Sequence, residues 1–282
     1  MNYSTPGIVQ EWDPRDWKHH RFGLPETRWA SLKDKTFWIT GAGTGYGRCL
    51  AVVLAAAGGT VFLTGRRHSK LDESLDEMRA LGIPTANCRA VPADLTEPEQ
   101  IAAACEQVRG SCPALYGLVH SAGIPARPGI ADPLRSEPLE YWDRMFRINV
   151  TAPWLLTRGI FPHMMSGDSA RVLFLSSEAG WAFTPGFGPY NLSKAALNNL
   201  TGSLAAEYAA KYPDLDIQIN ALVPGEAKTE MNTGSTVSPY AVVSMSLVLL
   251  SCGRGGPNGR FFHRDGRHLA FTYAEPFTQP LL

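Results

Sequence analysis

The sequence predicts an α/β fold: a mainly parallel, seven-stranded sheet, doubly wound, with helices on both faces. Three observations predict it. Short apolar strands alternate with Ala- and Leu-rich helical stretches from residue 35 to residue 263, as a parallel sheet with crossover helices requires. A glycine-rich turn, Gly41-Ala42-Gly43-Thr44-Gly45-Tyr46-Gly47, joins the first such strand to the first such helix. Tyr190 and Lys194 stand four apart in Tyr-Asn-Leu-Ser-Lys, a spacing that puts both on one helix face.

Residues 35–40 read as a buried strand, residues 48–57 as a helix ending at Gly58-Gly59, and residues 60–64 as a second strand. Strand, glycine turn, helix and strand are the context of a dinucleotide fingerprint. Gly41 permits the tight turn, Gly45 removes a side chain where a pyrophosphate comes close, and Gly47 lets the helix approach the sheet. The helix start offers unpaired N–H groups to phosphates. A loop rich in glycine for turn geometry alone is the plainer alternative, and the flanking elements argue against it.

The second strand ends in Thr64-Gly65-Arg66-Arg67. An NAD-selective site places an acid about twenty residues past the glycines to bind the ribose hydroxyls. Neither Gly65 nor Arg66 is acidic, and an arginine can hold a 2′-phosphate bidentately. The sequence therefore favours NADP(H) over NAD(H), with Arg66 the first candidate and Arg67 the second. The competing reading makes these arginines, with His68 and Lys70, a solvated helix start. Asp94, in Ala-Asp-Leu-Thr after a short strand at 89–91, is on composition alone a helix cap as readily as a ligand contact.

Thr40, Gly41, Gly45 and Gly47 fit Thr-Gly-x-x-x-Gly-x-Gly rather than Gly-x-Gly-x-x-Gly. That form, with Tyr190 and Lys194, resembles the short-chain dehydrogenase/reductase family over residues 35 to about 268. The resemblance implies a Rossmann-like three-layer sandwich binding NAD(P) across residues 34–269, between an aromatic-rich extension (1–33) and a tail (270–282). It implies cofactor contacts at Thr40, Gly41, Gly43, Thr44, Gly45, Tyr46 and Gly47, and at Asp94 (on the adenine amino group) and Leu95. Further contacts follow at Ser121, Ala122 and Gly123, and at Pro224, Gly225 and Thr229 near the nicotinamide. His120-Ser121 stands where relatives carry two asparagines; His120 reads as structural or cofactor-supporting, not catalytic.

The same resemblance implies four catalytic positions. Ser177, thirteen residues before Tyr190 at the end of the strand 171–175, would orient a carbonyl, with Ser176 supporting the backbone or cofactor. Tyr190 would be the proton donor or acceptor. Lys194 would bond the nicotinamide ribose and ease that proton transfer, since an adjacent ammonium favours a phenolate. Asn149, inside a helical stretch from about 139, would bend the helix and hold a water linked to the lysine. The complete set argues for an oxidoreductase interconverting a carbonyl and an alcohol, over a catalytically silent NAD(P)-binding regulatory or structural subunit. An epimerase or dehydratase of the extended branch would need a larger carboxyl-terminal domain.

The segment between Thr229 and the helix expected at 239–251 is short for a lid. It cannot by itself enclose a small apolar substrate, which favours an open cleft and a polar or sugar-like molecule. Residues 1–33 carry Trp12, Trp17, Phe22 and Trp29, a density that argues for a strap packed on the domain or on a neighbouring subunit. Helix pairing in the family and these aromatics together predict a homo-oligomer, a tetramer or dimer, with a terminus crossing a subunit boundary.

With 26 basic and 26 acidic side chains the chain has no basic footprint for nucleic acid, and no apolar run is long enough to span a membrane. No secretion signal is evident, and five dispersed cysteines form no metal-ligand cluster and point to a reducing, cytoplasmic setting.

Overall fold

A computed structural model describes residues 11–270, and eight strands form its sheet in the order β3-β2-β1-β4-β5-β6-β7-β8. The strands are β1 (Thr36–Thr40), β2 (Thr60–Thr64), β3 (Cys88–Ala90), β4 (Gly117–His120), β5 (Ser169–Leu175), β6 (Asp216–Val223), β7 (Phe261–His263) and β8 (His268–Leu269). The first seven pair in parallel; β8 adds to β7 antiparallel through Phe261 opposite Leu269. The expected seven strands are thus all present. The eighth follows the Asp265-Gly266 turn, where Gly266 takes φ +88°, and at two residues it is too short to carry an alternation pattern.

Residues 11–33 contain α1 (Trp17–His20) and α2 (Glu26–Ala30). Within the domain follow α3 (Gly45–Ala56), α4 (His68–Ala80), α5 (Pro98–Arg109), the short α6 (Pro133–Ser136), α7 (Leu139–Phe146), α8 (Ala152–Met164), the short α9 (Ala179–Ala182), α10 (Pro189–Lys211) and α11 (Val243–Leu250). Proline opens α5 and α10, where its missing N–H has no intrahelical partner to lose.

Side chains alternate across the sheet and build two cores. Phe37, Ile39, Val61 and Leu63 pack with α3, α4 and α11 on one face. Trp38, Phe62, Leu118 and Phe174 pack with α5, α8 and α10 on the other. The expected double winding is this two-sided burial.

The amino-terminal aromatics join the first core. Phe22, Leu24 and Leu32 are buried there, and Phe22 stacks on Tyr240 at 5.8 Å. The indole of Trp12 donates to the Ser244 hydroxyl at 2.7 Å, and that hydroxyl donates to the Phe22 carbonyl at 2.9 Å. The indole of Trp17 donates to the Leu81 carbonyl. The described part of the extension is therefore a strap on its own domain. Of the two surfaces that these aromatics could pack on, Phe22, Leu24 and Leu32 use their own domain. The tail from residue 271 onward lies outside the described residues.

Candidate active site

Strand order reverses at β1, whose neighbours are β2 and β4, and ligands bind at the carboxyl ends of strands around such a switch point. The loops leaving β1 and β4 are bound to each other there. The Thr40 hydroxyl accepts from the N–H groups of Ser121 and Ala122, each at 3.2 Å. Gly41, at φ +66°, passes so close that a Cβ would lie 2.8 Å from the Ala122 nitrogen. A Cβ on Gly47 would meet the Gly41 carbonyl oxygen at 2.3 Å, so this glycine lets the helix start tuck under its own turn. Gly45, at φ +52°, faces the Thr229 methyl, so its close approach is to the chain itself.

A cleft of about 390 Å³ runs over this turn. Gly41, Gly43, Thr44, Gly45 and Tyr46 form its floor, with Gly65, Arg66, Arg67 and Lys70 at one end. Asp94, Leu95, Ser121, Ala122, Gly123 and Thr229 continue its walls. Thr44 precedes α3 and makes no side-chain cap, which leaves the helix start open to an anion. These features fit a phosphorylated dinucleotide: a floor without side chains, an uncapped helix start and three cations at one end. Burial pushes the Asp94 carboxyl up, but bonds from the Thr96 N–H and hydroxyl, with Arg66 and Arg144 nearby, outweigh it and hold it below its usual range. Gly47 and Thr40 lie under the cleft rather than on it. Pro224 and Gly225 connect to it through Tyr46, whose hydroxyl donates to the Gly225 carbonyl at 2.7 Å.

The four expected catalytic residues converge beyond Gly123. A Cβ on Gly123 would stand 3.2 Å from Asn149 Oδ1 and 3.9 Å from Lys194 Nζ. Ser177 hydrogen-bonds the Tyr190 hydroxyl, and the Lys194 ammonium donates to the Leu175 carbonyl at 3.0 Å. Its Nζ lies 5.7 Å from the Tyr190 ring centre. Asn149 sits in a π-helical turn (Arg147–Thr151) between α7 and α8, a wide turn often found at functional sites. The buried amide of Asn149 uses both its donors and one acceptor position: it accepts from the Ile124 N–H at 2.9 Å and donates to the Ile124 carbonyl and the Ser193 hydroxyl, each at 3.1 Å.

Burial dominates the electrostatics of this wall. Burial pushes the Tyr190 phenol up, with the Ser177 bond pulling the other way, and pushes Lys194 down to about 8. Burial thus disfavours the charged form of both groups. His120 is structural: burial pushes it down to about 3, Nε2 meets the Thr157 hydroxyl at 2.9 Å and the ring stacks on Phe174. Ser176 donates to Asn198 on α10 and supports the backbone there.

Sequence reasoning missed several side chains. Arg48 donates through its guanidinium to the Gly43 carbonyl and pairs with Glu73 at 2.9 Å, bracing the glycine turn from α3. Lys70, read in the sequence only as part of a solvated helix start, lines the cleft from α4. Glu230 and Met231 line the cleft from the loop after β6, where no local pattern marks them.

A doubly wound sheet, a glycine-floored cleft at its switch point and a Ser–Tyr–Lys wall define an NAD(P)-dependent oxidoreductase. The chain matches the short chain dehydrogenase family over residues 35–238, and it belongs to that family. It is 30% identical over 206 residues to human dehydrogenase/reductase SDR family member 4, covering 73% of this chain and 70% of the relative. A short chain dehydrogenase of Pseudocercospora fijiensis is 34% identical over 211 residues, covering 73% and 64%. Among solved structures, a short chain dehydrogenase from Pseudomonas syringae superposes with a TM-score of 0.75 at 27% identity, covering 83% of this chain and 96% of that one. A Beutenbergia cavernae protein described as an NAD(P) dependent gluconate 5-dehydrogenase, with bound NADP, gives 0.74 at 28% identity, covering 84% and 97%.

Proposed function

We propose that this protein interconverts a carbonyl and a secondary alcohol using NADP(H), with Ser177, Tyr190, Lys194 and Asn149 as its working groups. The observation that carries the reading is the Ser177–Tyr190 hydroxyl bond beside Lys194, one glycine away from the dinucleotide cleft. A nicotinamide bound there supplies or accepts the hydride. The Ser177 and Tyr190 hydroxyls both donate to the substrate carbonyl oxygen, which fixes the carbonyl's orientation. As negative charge develops on that oxygen, Tyr190 delivers its proton to it. Lys194, one turn along α10, supplies positive charge as the phenol gives up its proton. Asn149 holds the Ile124 backbone and Ser193, and so fixes the floor under Lys194. In the oxidation direction Tyr190 takes the alcohol proton instead.

The preference for NADP(H) over NAD(H) is supported by Arg66, Arg67 and Lys70 at the end of β2 and start of α4, with no acid at Gly65. NADP bound to the Beutenbergia relative supports it further. The substrate reading stays with an open mouth and a polar or sugar-like molecule. Phe187, partly exposed and edge-on to Tyr190 at 5.9 Å, suits a substrate with one apolar face and polar edges. A homo-oligomer in the cytoplasm completes the proposal.

Fluorescence titration tests the cofactor half. The parent should bind NADPH at least several-fold more tightly than NADH, and Arg66→Ala should narrow the gap by weakening NADPH alone. Equal dissociation constants in the parent would remove the NADP assignment. A panel of carbonyl substrates then tests the reaction.

A further inference from the structure

The cations that mark the phosphate end of the cleft are already engaged by acids of this chain. Arg66 stands 4.0 Å from Asp94 across the adenosine side. Arg67 pairs with Glu230 at 2.5 Å, and the other Glu230 oxygen lies 4.0 Å from Lys70. Glu230 therefore holds Arg67 closely, from a loop on the far side of the cleft, and stands as a more distant second partner of Lys70, whose ammonium donates to Glu73 at 2.8 Å. That loop is a closed unit. Thr229 and Asn232 exchange backbone hydrogen bonds at 3.1 Å, and the Lys228 N–H donates to the Val237 carbonyl at 2.8 Å. Its neighbours reach the rest of the site: the Thr229 methyl rests against Gly45, and Met231 lines the cleft, half-exposed.

We propose that Glu230 is a built-in competitor of the cofactor's 2′-phosphate, latching the loop 229–237 to Arg67 until a phosphorylated cofactor displaces it. The proposal rests on the NADP reading given above. A 2′-phosphate is a dianion near neutral pH with three strong acceptor oxygens, and the Arg67 fork and Lys70 ammonium bind it better than they bind one carboxylate. The phosphate and Glu230 cannot share the same cations without like-charge repulsion. A cofactor lacking the phosphate has nothing to offer those cations and leaves the latch closed. Glu230 thus lowers the affinity for NADPH, and its displacement by NADPH frees the loop that carries Met231 along the cleft.

The test uses the full chain and Glu230→Gln, which keeps the shape and removes the charge at an exposed position. NADPH and NADH are titrated by fluorescence, and backbone amide exchange is followed at residues 229–237 with adenosine 2′,5′-bisphosphate or 5′-AMP as probes. In Glu230→Gln the NADPH dissociation constant should fall about three- to tenfold, the scale of losing an exposed ion pair together with a repulsion, and that for NADH should stay within twofold. In the parent, the bisphosphate should speed exchange at Thr229 and Asn232, and 5′-AMP should not; in the variant exchange should already be fast. If the parent prefers NADPH but the variant binds it no more tightly, the latch is wrong and the NADP reading stands. If the bisphosphate leaves exchange unchanged or slows it, the latch is likewise overturned. If the parent does not prefer NADPH, both readings fall.

Discussion

Burial acts on two protons at Tyr190 and Lys194 in the same sense, toward the uncharged form. Lys194 gives up its proton near pH 8 in the folded chain, against an ordinary 10.5. Between those values the unfolded chain binds more protons, so stability should rise with pH across that window and be at its lowest, for this group, below pH 8. The full difference is on the order of 3 kcal/mol. Lys194→Met removes it: comparing denaturant midpoints of parent and variant at pH 7 and pH 10 should show the parent gaining on the variant at the higher pH. Parallel curves would mean the ammonium is better solvated than its position implies. Tyr190→Phe addresses the chemistry. The ring still packs and the proton donor is gone, so turnover should fall by about two orders of magnitude or more while NADPH binding stays nearly intact. Near-parental turnover would refute the assignment. Much at this scale was legible. Tyr190, Lys194, Ser177 and the glycine turn stand out through spacing, and the fold brings the first three together beside Gly123. Glu230 and Arg48 do not. Their partners are 163 and 25 residues away in sequence, and only the folded chain brings them together.

The strand–turn–helix unit at residues 36–56 makes the sharpest demand among the elements. Gly47 has no room for a methyl group: a Cβ would sit 2.3 Å from the Gly41 carbonyl oxygen, which belongs to backbone and cannot swing away. Gly47→Ala should therefore push α3 off the turn, costing about 1–3 kcal/mol and weakening both nicotinamide cofactors alike. Thermal melts and the two titrations check this; a variant that loses NADPH but keeps NADH would locate the damage at the arginines instead. Strand positions were legible to within a residue or two because apolar runs between glycine and proline signals leave little choice. The π-turn at residues 147–151 was foreshadowed only as a bend at Asn149. Its hydrogen-bond shift leaves no periodicity of its own, and the buried Asn149 amide that holds it takes its partners from Ile124 and Ser193.

The whole molecule is a two-sided sheet with one extra tenant. The described part of the extension lies over α3, α4 and α11, and ties residues 12–32 to a helix more than 200 residues later through Trp12, Phe22 and Ser244. Aromatic density told that this segment needs apolar surface, but sequence could not say whose, since a neighbouring subunit and the chain's own first core offer the same chemistry. The answer changes what truncation should do. Phe22 is 1% exposed and stacked on Tyr240, so its loss opens a cavity in the first core rather than at an interface. Phe22→Ala should destabilise by about 3–5 kcal/mol, a fall in melting temperature on the order of 10 °C for a chain of this size. Removing residues 1–33 should lower it further. Neither change should alter the number of subunits per particle measured by light scattering, because the packing that each removes lies within one chain. If the truncated protein instead breaks into smaller assemblies while its melting temperature holds, the extension works between subunits and its packing on the home domain is secondary.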